Sequence, residues 1–169
     1  MMYSENDCDE SSLKMAEENN KPVAREATAL LRADHKLVSE LFTEYEKSLL
    51  KIKKKQLIAQ ICTELTVHAQ VEEEIFYPAV KNALNDIKLI PEAMIEHATL
   101  KALLAQVEGK EPDGEVFEAK IKVLSEYVKH HVKEEQEVMF PKIIATKLDL
   151  VDLGAKIAQR KAELLLKRI

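Results

Sequence analysis

Glycine is scarce in this 169-residue chain, three in all with five prolines, so the backbone has few natural places to turn sharply. Alanine, leucine, glutamate and lysine dominate instead, a composition that argues against a sheet-rich fold and favours helix. The two cysteines, Cys8 in a polar leader and Cys62 inside a helical pattern, give no disulfide framework. No stretch approaches the ~18 uncharged apolar residues of a membrane span, and the first residues lack the basic and apolar regions of a secretory signal. The expectation is a soluble cytoplasmic protein with no membrane partner. A surplus of positive charge is also missing. Residues 1–20 hold six acids against Lys14, so of 30 acids and 25 bases the rest of the chain keeps 24 of each. A balanced body argues against nucleic-acid binding as its main business. The acidic leader, 1–22, is too polar to fold and is expected to be disordered, ahead of one domain at 23–169.

What is there is helical periodicity. From about Arg25 to Leu49, Ala27, Leu30, Leu31, His35, Val38, Leu41, Phe42 and Tyr45 recur on one face. The run Lys51 to Lys55 reads as a basic turn near a helix C-terminus, and a second helix follows from about Lys54 to Phe76. Pro78 should kink it or start a short turn reaching Leu84. A third helix begins near Pro91 and runs to about Val107, with Met94, His97, Leu100 and Leu104 inward. Residues 108–114 form the clearest loop, and a fourth helix runs from about Glu115 to Met139, checked by Pro141. A last helix, about 149–167, starts at a capping Asp149. Short connections make an all-α, up-down-up-down antiparallel four-helix bundle the expected fold, with an additional C-terminal helix. That last helix could cap one end, cover an apolar seam or supply the face of a homodimer.

Two segments in these helices are degenerate copies: His68-x-x-x-Glu72 ending Phe-Tyr-Pro78, and His131-x-x-x-Glu135 ending Met-Phe-Pro141. Positions i and i+4 share a helix face, so each copy aims an imidazole and a carboxylate at one point. His35 and His97 lie 33 and 34 residues upstream of the two copies. Any one of these histidines alone would be an ordinary core residue. Together, four imidazoles and two buried carboxylates would cost a bundle several kcal/mol per uncompensated charge, against a total stability of about 5–15 kcal/mol. A pair of cations turns that cost into binding energy. Imidazole and carboxylate donors without thiolate suit iron, manganese or zinc. With Glu72 and Glu135 bridging and two histidines on each metal, every ion has four protein donors. An oxo or hydroxo bridge adds a fifth and leaves one octahedral position open for a small molecule. Glu64 and Tyr127, four residues before His68 and His131, should face the cavity beside them. Glu64 would be a spare ligand or an imidazole partner, and Tyr127 a core aromatic or a proton or electron donor. His130 and the glutamates 73, 74, 134 and 137 are expected on solvated faces.

The residues Ala33-Asp34-His35, His68-x-x-x-Glu72 with Phe76-Tyr77-Pro78, Glu96-His97, and His131-x-x-x-Glu135 with Phe140-Pro141 resemble the hemerythrin-like (HHE cation-binding) family over about residues 25–142. The resemblance implies a four-helix bundle holding a non-haem di-iron centre, with His35, His68, Glu72, His97, His131 and Glu135 as ligands. It implies binding of, or reaction with, O2, NO or peroxide in stress response or iron and oxygen handling, with a redox partner. The alternative it implies is an iron- and oxygen-sensing module read by a protein partner. Oxygen-carrying members have His-x-x-x-His on the third helix, where this chain has Lys101 four residues after His97, and His-x-x-x-x-Asp on the fourth. The set here is closer to the four-His, two-Glu members, and reversible O2 transport is not the expected role.

Overall fold

The computed structural model describes residues 25–84, 86 and 88–168, so the leader at 1–22 lies outside the described residues. Helix α1 spans Ala27–Lys47 and opens on Glu26, whose carboxylate accepts from the amides of Thr28 and Ala29. Two of the amides that a first turn leaves without partners are thereby satisfied. Helix α2 spans Lys51–Val71. The lysines 51–55 therefore form its first turn rather than a basic connection. Cations there oppose the helix dipole, and Lys53 to Glu44 (2.8 Å) and Lys54 to Glu118 (2.7 Å) offset the repulsion.

Pro78 does not end the second helix. A π-helical turn, Glu72–Phe76, carries α2 into α3, Tyr77–Lys81. The second copy repeats this: α5, Gly114–Glu134, passes through a π-helical turn at Glu135–Met139 into α6, Phe140–Ile144. The amides of Tyr77 and Phe140 reach back five residues, to the carbonyls of Glu72 and Glu135. Each wide turn stops just before a proline, which has no N–H and whose ring would crowd the carbonyl four residues back.

Helix α4 spans Leu89–Leu104 and buries Ile90, Ala93, His97, Leu100 and Leu104. Its stripe runs through Ala93, and Met94, expected inside, is exposed. Between α4 and α5 the chain turns at Gly109 and Gly114, both at positive φ (68° and 79°), where a side chain would be strained. Asp149 caps α7, Leu150–Leu166, by accepting from the amides of Val151 and Asp152.

Helices α1, α2, α4 and α5 form the bundle, α1 beside α2 and α5, and α4 beside α5 and α2. Helix α7 lies along α1 and α2, so its apolar face covers a seam. Gly154 makes this possible: a Cβ there would meet the Arg25 carbonyl at 2.3 Å. Two apolar clusters fill the bundle. One holds Leu31, Val71, Phe76, Phe140, Ile143 and Ile157, the other Val38, Phe42, Leu57, Ile61, Leu104 and Leu124. Each such side chain contributes about 1.5–3 kcal/mol on burial, so the bundle has apolar support on either side of the polar residues. Among the described residues no helix is long and apolar enough to cross a membrane.

Candidate metal centre

The helix period brings all six sequence-predicted residues inward. His35, His68, His97, His131, Glu72 and Glu135 are each 6% exposed or less. Their inward atoms fall into two groups: His35, His68, Glu72 and Glu135, and then Glu72, His97 and His131. Glu72 joins the groups, its Oε1 3.2 Å from His68 Nε2 and its Oε2 3.3 Å from His97 Nε2. Glu135 places Oε2 3.3 Å from His35 Nε2 and 3.7 Å from His131 Nε2. The Nε2 atoms of His35 and His68 are 3.0 Å apart, and those of His97 and His131 3.1 Å.

Behind each imidazole stands a partner that is the sequence neighbour of another of the six. Asp34 meets His68 Nδ1 at 3.4 Å, and Glu96 meets His131 Nδ1 at 2.6 Å. Glu73 meets His97 Nδ1 at 3.0 Å, and Gln136 meets His35 Nδ1 at 2.9 Å. The pairs Asp34-His35 and Glu96-His97, and Glu72-Glu73 and Glu135-Gln136, thus play matching parts in the two halves of the internal repeat. Three of these partners have a cation of their own, Lys161 on Asp34, Lys101 on Glu73 and Arg32 on Gln136, and the His130 imidazole lies 3.9 Å from Glu96. A carboxylate that takes the Nδ1 proton leaves Nε2 as an inward lone pair. Gln136 differs: its amide faces His35 Nδ1 while its carbonyl accepts from Arg32, so His35 Nδ1 acts as an acceptor here.

This arrangement fits cations. With the Nδ1 protons of His68, His97 and His131 outward, the centre is rich in acceptors, and Glu72 Oε1 and Glu135 Oε2 have no hydrogen-bond partner among the described residues. Buried acceptors without donors are costly unless a cation serves them. Without one, protons take that part. Burial disfavours the imidazolium of His68, but the charge of Glu72 and the Asp34 hydrogen bond outweigh it and push its pKa up to about 10. His131 is raised too, burial being outweighed by Glu96 and Glu135. Glu72 is held well below the usual carboxylate range: burial alone would raise it, and His68 and His97 overcome that.

One residue at the centre was not singled out from the sequence. Tyr77, 1% exposed, donates its hydroxyl to Glu135 Oε1 at 2.8 Å and lies 3.1 Å from His97 Nε2. Burial and the two nearby glutamates hold its phenol well above the ordinary range, so it stays a donor. In a regular helix it would sit about 140° round from Glu72, and only the π-helical turn brings it back. Glu73 is corrected from a solvated residue to the partner of His97. Glu64 is not an imidazole partner: it faces Lys161 at 3.6 Å, and Asp34 takes the histidine. Tyr127 packs against the apolar cluster of Val38 and Leu124. His130 is exposed, as expected, and Lys101 lies at the surface on Glu73.

A curated DNA nickase from Nostoc sp. is 32% identical over 114 residues, which are 68% of this chain and 32% of that protein. The chain therefore spans about a third of the length of that relative. The crystal structure of a hemerythrin HHE cation binding domain-containing protein from Mycobacterium kansasii has a TM-score of 0.73 at 22% identity, covering 85% of this chain and 89% of that one, a likeness of fold. The model of the hemerythrin HHE cation binding domain matches residues 26–143, the stretch that carries all six inward residues and their four partners, and the chain belongs to that family.

Proposed function

We propose that the chain is a non-haem di-iron protein that binds or reacts with O2, NO or peroxide, in stress response or in iron and oxygen handling in the cytoplasm. His35, His68, Glu72, His97, His131 and Glu135 would hold the two ions. The observation that carries this reading is the donor-poor cage, two orphaned carboxylate oxygens among four Nε2 atoms at the centre of the bundle. Two iron ions held there would supply redox chemistry and open coordination positions to a small ligand. The surrounding side chains restrict its size. A cavity of about 10 Å³ lies between the histidines and Val38, Leu65, Leu100, Val128 and Val132. That is room for roughly one water-sized molecule. A groove of about 240 Å³ shares His35, Val128 and Val132 with it and offers a way in from solvent.

Nicking of DNA is not extended to this chain, because the curated relative is about three times longer than the shared segment and the body here carries no cationic surplus. Anaerobic addition of ferrous ion to the metal-free protein should load two irons per chain, with new optical bands on exposure to O2 or NO. A stoichiometry of one or none would overturn the reading.

A further inference from the structure

Helix α7 lies outside the matched stretch of residues 26–143, yet one of its side chains reaches the centre. Lys161 Nζ sits 2.5 Å from Asp34 Oδ1, and the other oxygen of Asp34 faces His68 Nδ1 at 3.4 Å. Of the three cations that stand behind the histidine partners, Lys161, Lys101 and Arg32, Lys161 alone comes from outside the bundle and its π-helical turns. It also approaches Glu64 at 3.6 Å. The helix is seated on the bundle by Leu153, Ile157 and Leu164, by the close approach at Gly154, and by Arg160 on Glu74 at 2.7 Å.

We propose that the docking of α7 and the loading of cations are linked through Lys161, a positioning residue that holds Asp34 on His68. The inference rests on the reading that the six inward residues hold cations. To offer Nε2 to a cation, His68 must keep its proton on Nδ1, and that proton needs an acceptor that stays in place. The Asp34 side chain is 16% exposed and can turn toward water. Lys161 takes one carboxylate oxygen and leaves the other on the imidazole. Helix α7, when docked, thus orders part of the centre before any cation arrives. By reciprocity, whatever factor docking adds to cation affinity, cation loading adds to docking. In the other half of the repeat the side chain behind Glu96 is His130, at 3.9 Å and supplied by α5 itself, so the ion pair to a separate helix belongs to the His68 side.

The test uses the full chain and ferrous ion under anaerobic conditions. It reads three things: iron per chain, iron affinity by competition with a chromophoric chelator, and amide hydrogen exchange within residues 150–166. Loading should slow exchange in α7. Lys161→Met should keep the helix docked through its apolar seat, weaken iron binding by about ten-fold or more, as loss of a residue behind a ligand does, and abolish the response of exchange to iron. Lys161→Arg should restore both. Gly154→Ala, which drives a methyl group into the Arg25 carbonyl while keeping Lys161, should weaken iron binding to a similar degree. Normal iron uptake with no change of exchange in α7, or a Lys161→Met chain that binds iron as tightly as the parent, overturns this inference alone. A parent chain that takes up no iron overturns it together with the di-iron reading.

Discussion

The hydroxyl of Tyr77 donates to Glu135 Oε1 at 2.8 Å, and so joins the first copy of the internal repeat to the second across the centre of the bundle. The equivalent residue of the second copy is Phe140, which stacks on His35 with ring planes 6° apart and has no hydroxyl to offer. The two halves of the centre therefore differ at this position. The His97 side has a buried donor, and the His35 side has an apolar wall.

Tyr77→Phe should expose that difference. In the metal-free protein it strands Glu135 Oε1 without a donor, a loss of about 1–3 kcal/mol. A cation can serve the same oxygen, so ferrous ion should recover most of the loss. Urea unfolding of parent and variant, with and without metal, measures both quantities; an equal deficit in the two states would contradict the prediction.

Glu72 faces histidines of both groups, so its removal should affect both cations. Glu72→Ala should hold fewer than two irons per chain. A ligand at a hundred times its Kd stabilises the folded state by about 2.7 kcal/mol per site. The parent should therefore show a rise in Tm with iron that the variant lacks. A variant that is simply more stable than the parent, with no metal effect in either, would point to a bundle whose buried glutamate is a burden and nothing else.

The charge on His68 makes metal-free stability depend on pH. Its pKa stands near 10 in the folded chain against 6.5 for the free group. A raised folded value stabilises fully below pH 6.5, and that contribution is lost as pH climbs towards 10. His131, shifted the same way, adds to the slope. The metal-free protein should thus unfold at progressively lower urea concentration across this window. Metal uptake below it should release protons, which a weakly buffered titration with a pH indicator would record.

Val132 borders both the small cavity and the groove beside it, the proposed way in. Val132→Phe should fill the passage and slow NO association several-fold, while iron content stays at the parent level. Stopped-flow mixing with elemental analysis on the same sample separates the two effects. Unchanged association would place the route elsewhere.

Local sequence carried a large part of this protein. A period of 3.6 residues is set by backbone geometry, so four helical stripes and the i, i+4 spacing of His68 with Glu72 and His131 with Glu135 could be read directly. So could the inward sense of His35 and His97, because each stands in line with apolar neighbours on its own helix. Asp149 was legible as a cap for the same reason: a cap acts on amides two and three residues away.

What lay beyond that period needed the assembled molecule. Tyr77 and Phe140 reach the centre only because a turn closed over five residues shifts the helix phase just before a proline, and a regular stripe extrapolates past them. Glu64 and Tyr127 share the phase of His68 and His131, but a shared helix face does not say which neighbour fills the space opposite: Lys161 faces Glu64, and Tyr127 packs on an apolar cluster. Glu73 as the partner of His97, and Lys161 behind Asp34, join residues 24 and 127 positions apart. Such pairings depend on how whole helices pack side by side, a relation that no single helix encodes in its own spacing.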